Sequence, residues 1–148
     1  VLEQSGLALA IGQLAAAAAD RSELTVTVES AGWPDEARTD QDRLLFGVAR
    51  ELVSNVVRHA HASRMTITLA LHDGRAVLTV TDDGVGFTPG TAARKLSEGH
   101  IGVDSQRVKV EAAGGHFLIA PSDHRAGTER PGAIVRVDVP ARRTDPAD

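Results

Sequence analysis

The chain contains no cysteine. Disulfide frameworks, cysteine metal sites and thiol nucleophiles are therefore excluded. Positive charge is not in excess either. Lys and Arg number 16 against 20 Asp and Glu, for a formal net charge of -4 and a pI near 5.8. A global positive field for DNA or RNA is thus absent, although a few well-placed groups suffice to hold one nucleotide. Long apolar runs are missing as well. The longest, Gly6 to Ala19, spans 14 residues, includes Gln13 and is rich in alanine, too short to cross a bilayer. No basic flank precedes it, which argues against a signal peptide, so a cytoplasmic domain without membrane contact is expected. The remaining proportions, 42% hydrophobic and 24% charged over 148 residues, are those of one globular domain. Val1 falls in mid-pattern, and a piece of a longer chain is expected.

Several catalytic signatures are lacking too. No Gly-Lys pair exists for a Walker-type loop. Gly84, Gly86 and Gly90 miss the dinucleotide spacing by one residue and follow a hairpin pattern instead of opening a helix. There is no Gly-x-Ser-x-Gly elbow. His59 and His61 are close, but no His-Glu-x-x-His zinc pattern accompanies them.

What is present is a regular alternation of periods. Leu7, Ala10, Ile11, Leu14 and Ala18 predict a helix over 6–19, and Leu24, Val26 and Val28 a half-buried strand. Gln41 to about His61 reads as a helix with Leu45, Val48, Ala49, Leu52 and Val56 on one broad stripe. Met65, Ile67, Leu69 and Leu71 then share a strand face, Asp73-Gly74 signals a hairpin, and Val77 to Asp82 returns. A break from Asp83 to His100 precedes a third helix from about Val103 to Ala113, stopped by Gly114-Gly115. Phe117 and Ile119 mark a strand, 121–132 a polar loop, and Val135, Val137 and Val139 a last strand. The expected fold is α/β: a two-layer sandwich of a mixed, mostly antiparallel sheet on three helices. The domain is expected over 1–140, with 141–148 a polar, disordered tail.

Three constellations could carry chemistry. On the second helix, Glu51, Asn55, Arg58 and His59 fall at i, i+4, i+7 and i+8, one face of an α-helix. A carboxylate, an amide oxygen and a guanidinium on one stripe suit a magnesium-bound polyphosphate; a solvated helix face is the alternative. In Asp82-Asp83-Gly84-Val85-Gly86-Phe87, Asp82 shares a strand face with Leu78 and Val80 and so points inward as the strand ends. A buried carboxylate needs a donor, which an adenine amine could supply, and Gly84 and Gly86 let the backbone pass close to a flat ring. A tight Asp-Gly turn is the alternative. Glu98-Gly99-His100-Ile101-Gly102-Val103 opens the third helix and could offer free amides to a phosphate, or be a simple helix-start loop.

In this order the segments resemble the nucleotide-binding boxes of the Bergerat-fold (GHKL) ATPase superfamily, over roughly Gly6 to Pro140. Glu51 to Ala60 is similar to the N box, Asp82 to Gly86 to the first glycine box, and Gly99 to Val103 to the second. Within the superfamily the chain looks most like the catalytic domain of bacterial sensor histidine kinases that signal to LuxR-type response regulators. Gly6-Leu7, Ala10-Ile11, Leu14-Ala15, Arg58-His59-Ala60 and Arg107 to Gly115 carry that closer likeness, and Phe87 to Gly99 would be a short ATP lid.

The resemblance implies ATP and Mg²⁺ as cofactors. It gives Asp82 the adenine amine, Asn55 and Glu51 the metal and catalytic site, and Arg58 the phosphates. His59 would line the pocket, and Gly84, Gly86, Gly102 and Val103 would lie against the nucleotide. Two positions depart from the family pattern. Gly132-Ala133 stands where a Gly-Thr is usual, with Gly127-Thr128 five residues earlier, and His100-Ile101 precedes Gly102 in place of a more glycine-rich run. None of the six histidines sits in a dimerisation-helix pattern with an adjacent acid. The acceptor histidine is therefore expected upstream, on a dimerisation domain that makes the intact kinase a homodimer, and little autophosphorylation is expected of this chain. A serine-directed anti-sigma-factor kinase and a non-catalytic nucleotide-sensing module are the alternative readings.

Overall fold

A computed structural model of the chain describes residues 6–33, 40–84, 101–121 and 132–141, with the backbone alone at 40, 59, 60, 101 and 102. Helix α1 (Leu7–Arg21) is built largely of alanine, the strongest helix former. Its last carbonyls are closed by side chains: Ser22 Oγ donates to Ala18 O at 2.8 Å and Arg21 Nε to Ala17 O at 3.3 Å. Strand β1 (Thr25–Glu29) alternates threonine and valine. Helix α2 (Asp40–Asn55) runs into a single π-helical turn, Val56–Ala60, where the sequence pattern predicts continuous α-helix to about His61.

Strands β2 (Arg64–His72) and β3 (Arg75–Asp82) form the expected hairpin. Asp73 and Gly74 at its tip both have positive φ, 50° and 74°, as a two-residue turn matched to strand twist requires. Helix α3 (Ile101–Ala112) ends in a Schellman arrangement. Gly115 N–H donates to Val110 O at 2.9 Å and Gly114 N–H to Glu111 O at 3.0 Å, with Gly114 at φ 82°. Strands β4 (His116–Ala120) and β5 (Ala133–Pro140) complete a five-stranded sheet of order β1-β2-β3-β5-β4. Only the β1–β2 pairing is parallel. The mixed, mostly antiparallel sheet on three helices is as the periodicity predicts.

The register aligns the inward residues in rows. Leu69, Leu78, Val137 and Phe117 form one, and Ile67, Val80, Val135 and Ile119 the next. Leu7, Ile11, Leu45, Val48 and Val53 cover them from the helices, all essentially without solvent exposure. Each such side chain contributes about 1.5–3 kcal/mol by leaving water. Leu71, expected on the core face, is 49% exposed because it lies beside the hairpin tip. The Arg107 guanidinium stacks 5.3 Å from the centre of the Phe117 ring and ties α3 to β4.

At the hairpin end of the sheet Asp138 joins three elements. Its Oδ1 accepts from Arg75 Nε at 2.7 Å and pairs with His116 Nδ1 at 2.9 Å, while Arg75 also donates to Gly114 O at 3.1 Å. Burial pushes the Asp138 carboxyl up, but the hydrogen bonds from His116 and Arg75 and their charge outweigh it and hold the group below its ordinary value. A lowered folded pKa stabilises above the ordinary carboxylate value and is lost as pH falls through the lowered one. Stability of the wild-type chain should therefore fall with acid over that window, and Asp138→Asn should flatten that part of the profile in denaturant titrations run at successive pH values.

The glycines separate two kinds of constraint. A Cβ on Gly115 would overlap the Asp138 carbonyl oxygen and lie 2.7 Å from Val139 Cγ1, whereas Gly12 has open space around it on α1. Gly115→Ala should cost roughly 3 kcal/mol of unfolding free energy by overpacking. Gly12→Ala should instead add about 0.5–1 kcal/mol through helix propensity.

Candidate functional site

The opposite end of the sheet gathers the residues that the sequence singles out. Asp82 closes β3, opposite Met65 on β2 and Ala133 on β5, so it extends the buried face by one row. The carboxylate is only 6% exposed. Its Oδ1 accepts the Gly84 N–H at 2.8 Å, which turns the backbone tightly after the strand. Gly84 is buried, and its carbonyl accepts the Gly132 N–H at 2.9 Å, drawing the start of β5 to the same spot. A buried carboxylate at a strand end, next to glycine backbone, is a place where an amine donor can be recognised.

Helix α2 packs against β3 and brings Asn55 with it. Both atoms of the Asn55 amide head, Oδ1 and Nδ2, are buried, and neither has a hydrogen-bond partner among the described residues. Unpaired buried amides are uncommon in folded proteins and call for a reason. Asn55 also marks the junction from α-helix to π turn, and such turns recur at functional sites. Glu51 lies one helical turn earlier and is half-buried.

The π turn corrects the single-face reading of this helix. Residues of a wider turn advance by less than the ~100° of an α-helix, so Arg58 leaves the line through Glu51 and Asn55. Arg58 is exposed, and its Nε makes a long, 3.5 Å hydrogen bond to Ser54 O of its own helix. The backbone of His59 lies in the same turn. Gly102 occupies the second position of α3, and Val103 beside it is buried. Gly86, the whole of the expected lid from Phe87 to Gly99, and Thr128 lie outside the described residues. The structure does settle which residue faces Asp82 across the strands: Ala133, which carries no hydroxyl.

Missed from sequence was the role of Asp83, whose carboxylate accepts the N–H groups of Ser63 and Arg64 at 2.7 and 2.9 Å. Alternation along β3 places it opposite in sense to Asp82, but its partners come from a turn that periodicity does not reveal.

Comparison with known proteins places this geometry. Residues 39–143 match the family of histidine kinase-, DNA gyrase B- and HSP90-like ATPases, and the chain belongs to that family, which implies ATP binding. The chain is 47% identical over 145 residues to the sensor histidine kinase NarS of Mycobacterium tuberculosis, an alignment covering 97% of this chain and 31% of that protein. It is 31% identical to the sensor histidine kinase MctS of Rhizobium johnstonii, over 86% of this chain and 27% of the other. It thus spans about a third or less of those relatives.

The fold matches a mycobacterial sensor histidine kinase, MprB, with a TM-score of 0.68 at 19% identity over 92% of this chain and 95% of that one. It also matches a blue-light activated histidine kinase of Erythrobacter litoralis, with a TM-score of 0.72 at 22% identity over 95% and 43%. Among the described residues no helix is long and apolar enough to cross a membrane.

A buried amide without a partner among the described residues weakens the free protein. Asn55→Leu, similar in size and without polar atoms, should raise the stability of the nucleotide-free chain by about 1 kcal/mol in chemical denaturation.

Proposed function

We propose that this chain is the ATP-binding catalytic domain of a cytoplasmic sensor histidine kinase, presenting the γ-phosphoryl group of ATP to a histidine on a separate dimerisation domain. The observation that carries this reading is the proximity of a buried carboxylate, Asp82, to the buried amide of Asn55, without a partner among the described residues, on the helix packed against the same strand. The first suits the exocyclic amine of adenine. The second suits a hard cation at the phosphates.

Mg²⁺ fits this donor set. It prefers oxygen ligands and usually keeps waters and phosphate oxygens, needing only one or two protein groups. Asn55 Oδ1 and Glu51 would supply them, and among the described residues no group of three or more His, Asp and Glu side chains forms a site of another kind. When bound, the ion would neutralise charge on the phosphates. The chain's own contribution is to orient the nucleotide. Asp82 fixes the base; Gly84 and Val103 allow the backbone close to it; the resemblance extends that role to Gly86 and Gly102 and gives His59 the pocket lining; and Arg58 moves from Ser54 to the phosphates. Phosphoryl transfer depends on such positioning and charge balance more than on covalent help from the protein.

The acceptor and the downstream partner belong to this proposal too. The named relatives are sensor histidine kinases, which supports a homodimerising phosphoacceptor domain and a response regulator as the partners of the whole protein; the LuxR type rests on the resemblance of Gly6-Leu7, Arg58-His59-Ala60 and Arg107 to Gly115 alone.

Calorimetric titration tests the site and labelling tests the reaction. The chain should bind ATP more tightly with Mg²⁺ than with a chelator. Asp82→Asn should lower affinity for any adenine nucleotide by at least about tenfold, one or more hydrogen bonds to a charged group. With γ-labelled ATP the chain alone should label weakly, and label should appear on the histidine when its dimerisation helices are supplied. Strong labelling of the chain alone, or no ATP binding, would contradict the proposal.

A further inference from the structure

Asp83 stands next to Asp82 and faces the other way. Successive side chains of a strand point to opposite faces, so Asp82 is buried and Asp83 exposed. Asp83 Oδ1 accepts two successive backbone amides, Ser63 N–H at 2.7 Å and Arg64 N–H at 2.9 Å, and Asp83 N–H donates to Arg64 O at 3.3 Å. Ser63 and Arg64 are the residues by which the chain leaves the π turn and enters β2. Between turn and strand, His61 adopts a left-handed conformation at φ 50°, and the Ser63 carbonyl accepts the Thr25 N–H of β1 at 3.0 Å. One carboxylate oxygen therefore fastens the entry to β2, which follows the π turn of the Asn55-bearing helix, to the end of the strand that carries Asp82.

The location decides what this fastening does. Both amides lie at the surface, where water can replace the carboxylate as acceptor, so the core does not depend on it. What water cannot supply is a fixed position of the turn against the strand. Small misplacements of groups that must act together are costly in binding and reactivity.

We propose that Asp83 is a positioning residue for nucleotide binding: it sets the spacing between Asp82, at the base, and the helix turn that carries Asn55, at the phosphates. This rests on the ATP reading of the site. The test titrates the 148-residue chain and its Asp83→Ala, Asp83→Asn and Asp83→Glu variants with Mg²⁺·ATP by calorimetry and with adenosine by NMR, with melting temperature followed in parallel.

Asparagine keeps an oxygen for the two amides without the charge; glutamate keeps the charge but moves the oxygen by one methylene. Asp83→Ala and Asp83→Glu should weaken Mg²⁺·ATP about tenfold, a modest misplacement effect, yet weaken adenosine by less than about threefold, whereas Asp83→Asn stays within about threefold for both. Equal losses for ATP and adenosine would reveal general loosening and overturn the proposal. So would wild-type affinity in Asp83→Ala, or a loss in Asp83→Asn as large as in Asp83→Glu. Should Asp83→Ala not fold, the contrast between Asn and Glu decides alone. Failure of the wild-type chain to bind ATP is a separate result that overturns the ATP reading and this proposal with it.

Discussion

The two-residue period of β3 is the constraint on which the site depends. It carries Leu78, Val80 and Asp82 to the same buried face, so the apolar row that packs the helices ends in a carboxylate. A shift of register by one residue would exchange Asp82 with Asp83 and turn the whole strand inside out. The β2 and β5 pairings, eight residue pairs each along β3, hold that register. The antiparallel neighbours then supply the surroundings: Met65 on one side, Ala133 on the other, and the Gly84–Gly132 hydrogen bond closing the turn beyond.

Packing and function pull in different directions at this end of the molecule. Among the described residues Asn55 keeps a buried amide without a partner, and His61 holds a backbone conformation that non-glycine residues rarely adopt. Proteins tolerate such local costs where activity needs them and offset them elsewhere. At the opposite end of the sheet the left-handed Asp73 belongs to the hairpin turn, Arg75, Asp138 and His116 satisfy one another across three strands, and Gly115 sits against the Asp138 carbonyl with no room for a side chain. Among the described residues, one end of the sheet satisfies its polar groups and the other holds the Asn55 amide without a partner. The second is where we propose that ATP binds.

Much of this was legible in the residues. Alternating Met65, Ile67 and Leu69, the Asp73-Gly74 turn and the Gly114-Gly115 stop gave the hairpin and the end of α3, because those signals are local and their physics is short-range. Asp82 was legible for the same reason, since two inward residues precede it at strand spacing. The π turn was not. Its hydrogen-bond pattern leaves no mark in a stripe of apolar residues, so α-helical spacing puts Arg58 and His59 on one face with Asn55. Nor was Asp83, whose partners Ser63 and Arg64 come from about twenty residues away. Phase alone puts Leu71 in the core, and only the position of the hairpin tip reveals its exposure.

The proposed binding of ATP at the junction of β3 with the end of α2 is tested most directly by backbone amide chemical-shift mapping. On titration with Mg²⁺·ATP, the resonances of Asn55, Asp82, Gly84 and Ala133 should shift together at one saturating concentration, while those of Arg75, His116 and Asp138 at the other end stay in place. Shifts centred on the Arg75–Asp138 end, or none around Asp82 at saturation, would contradict it.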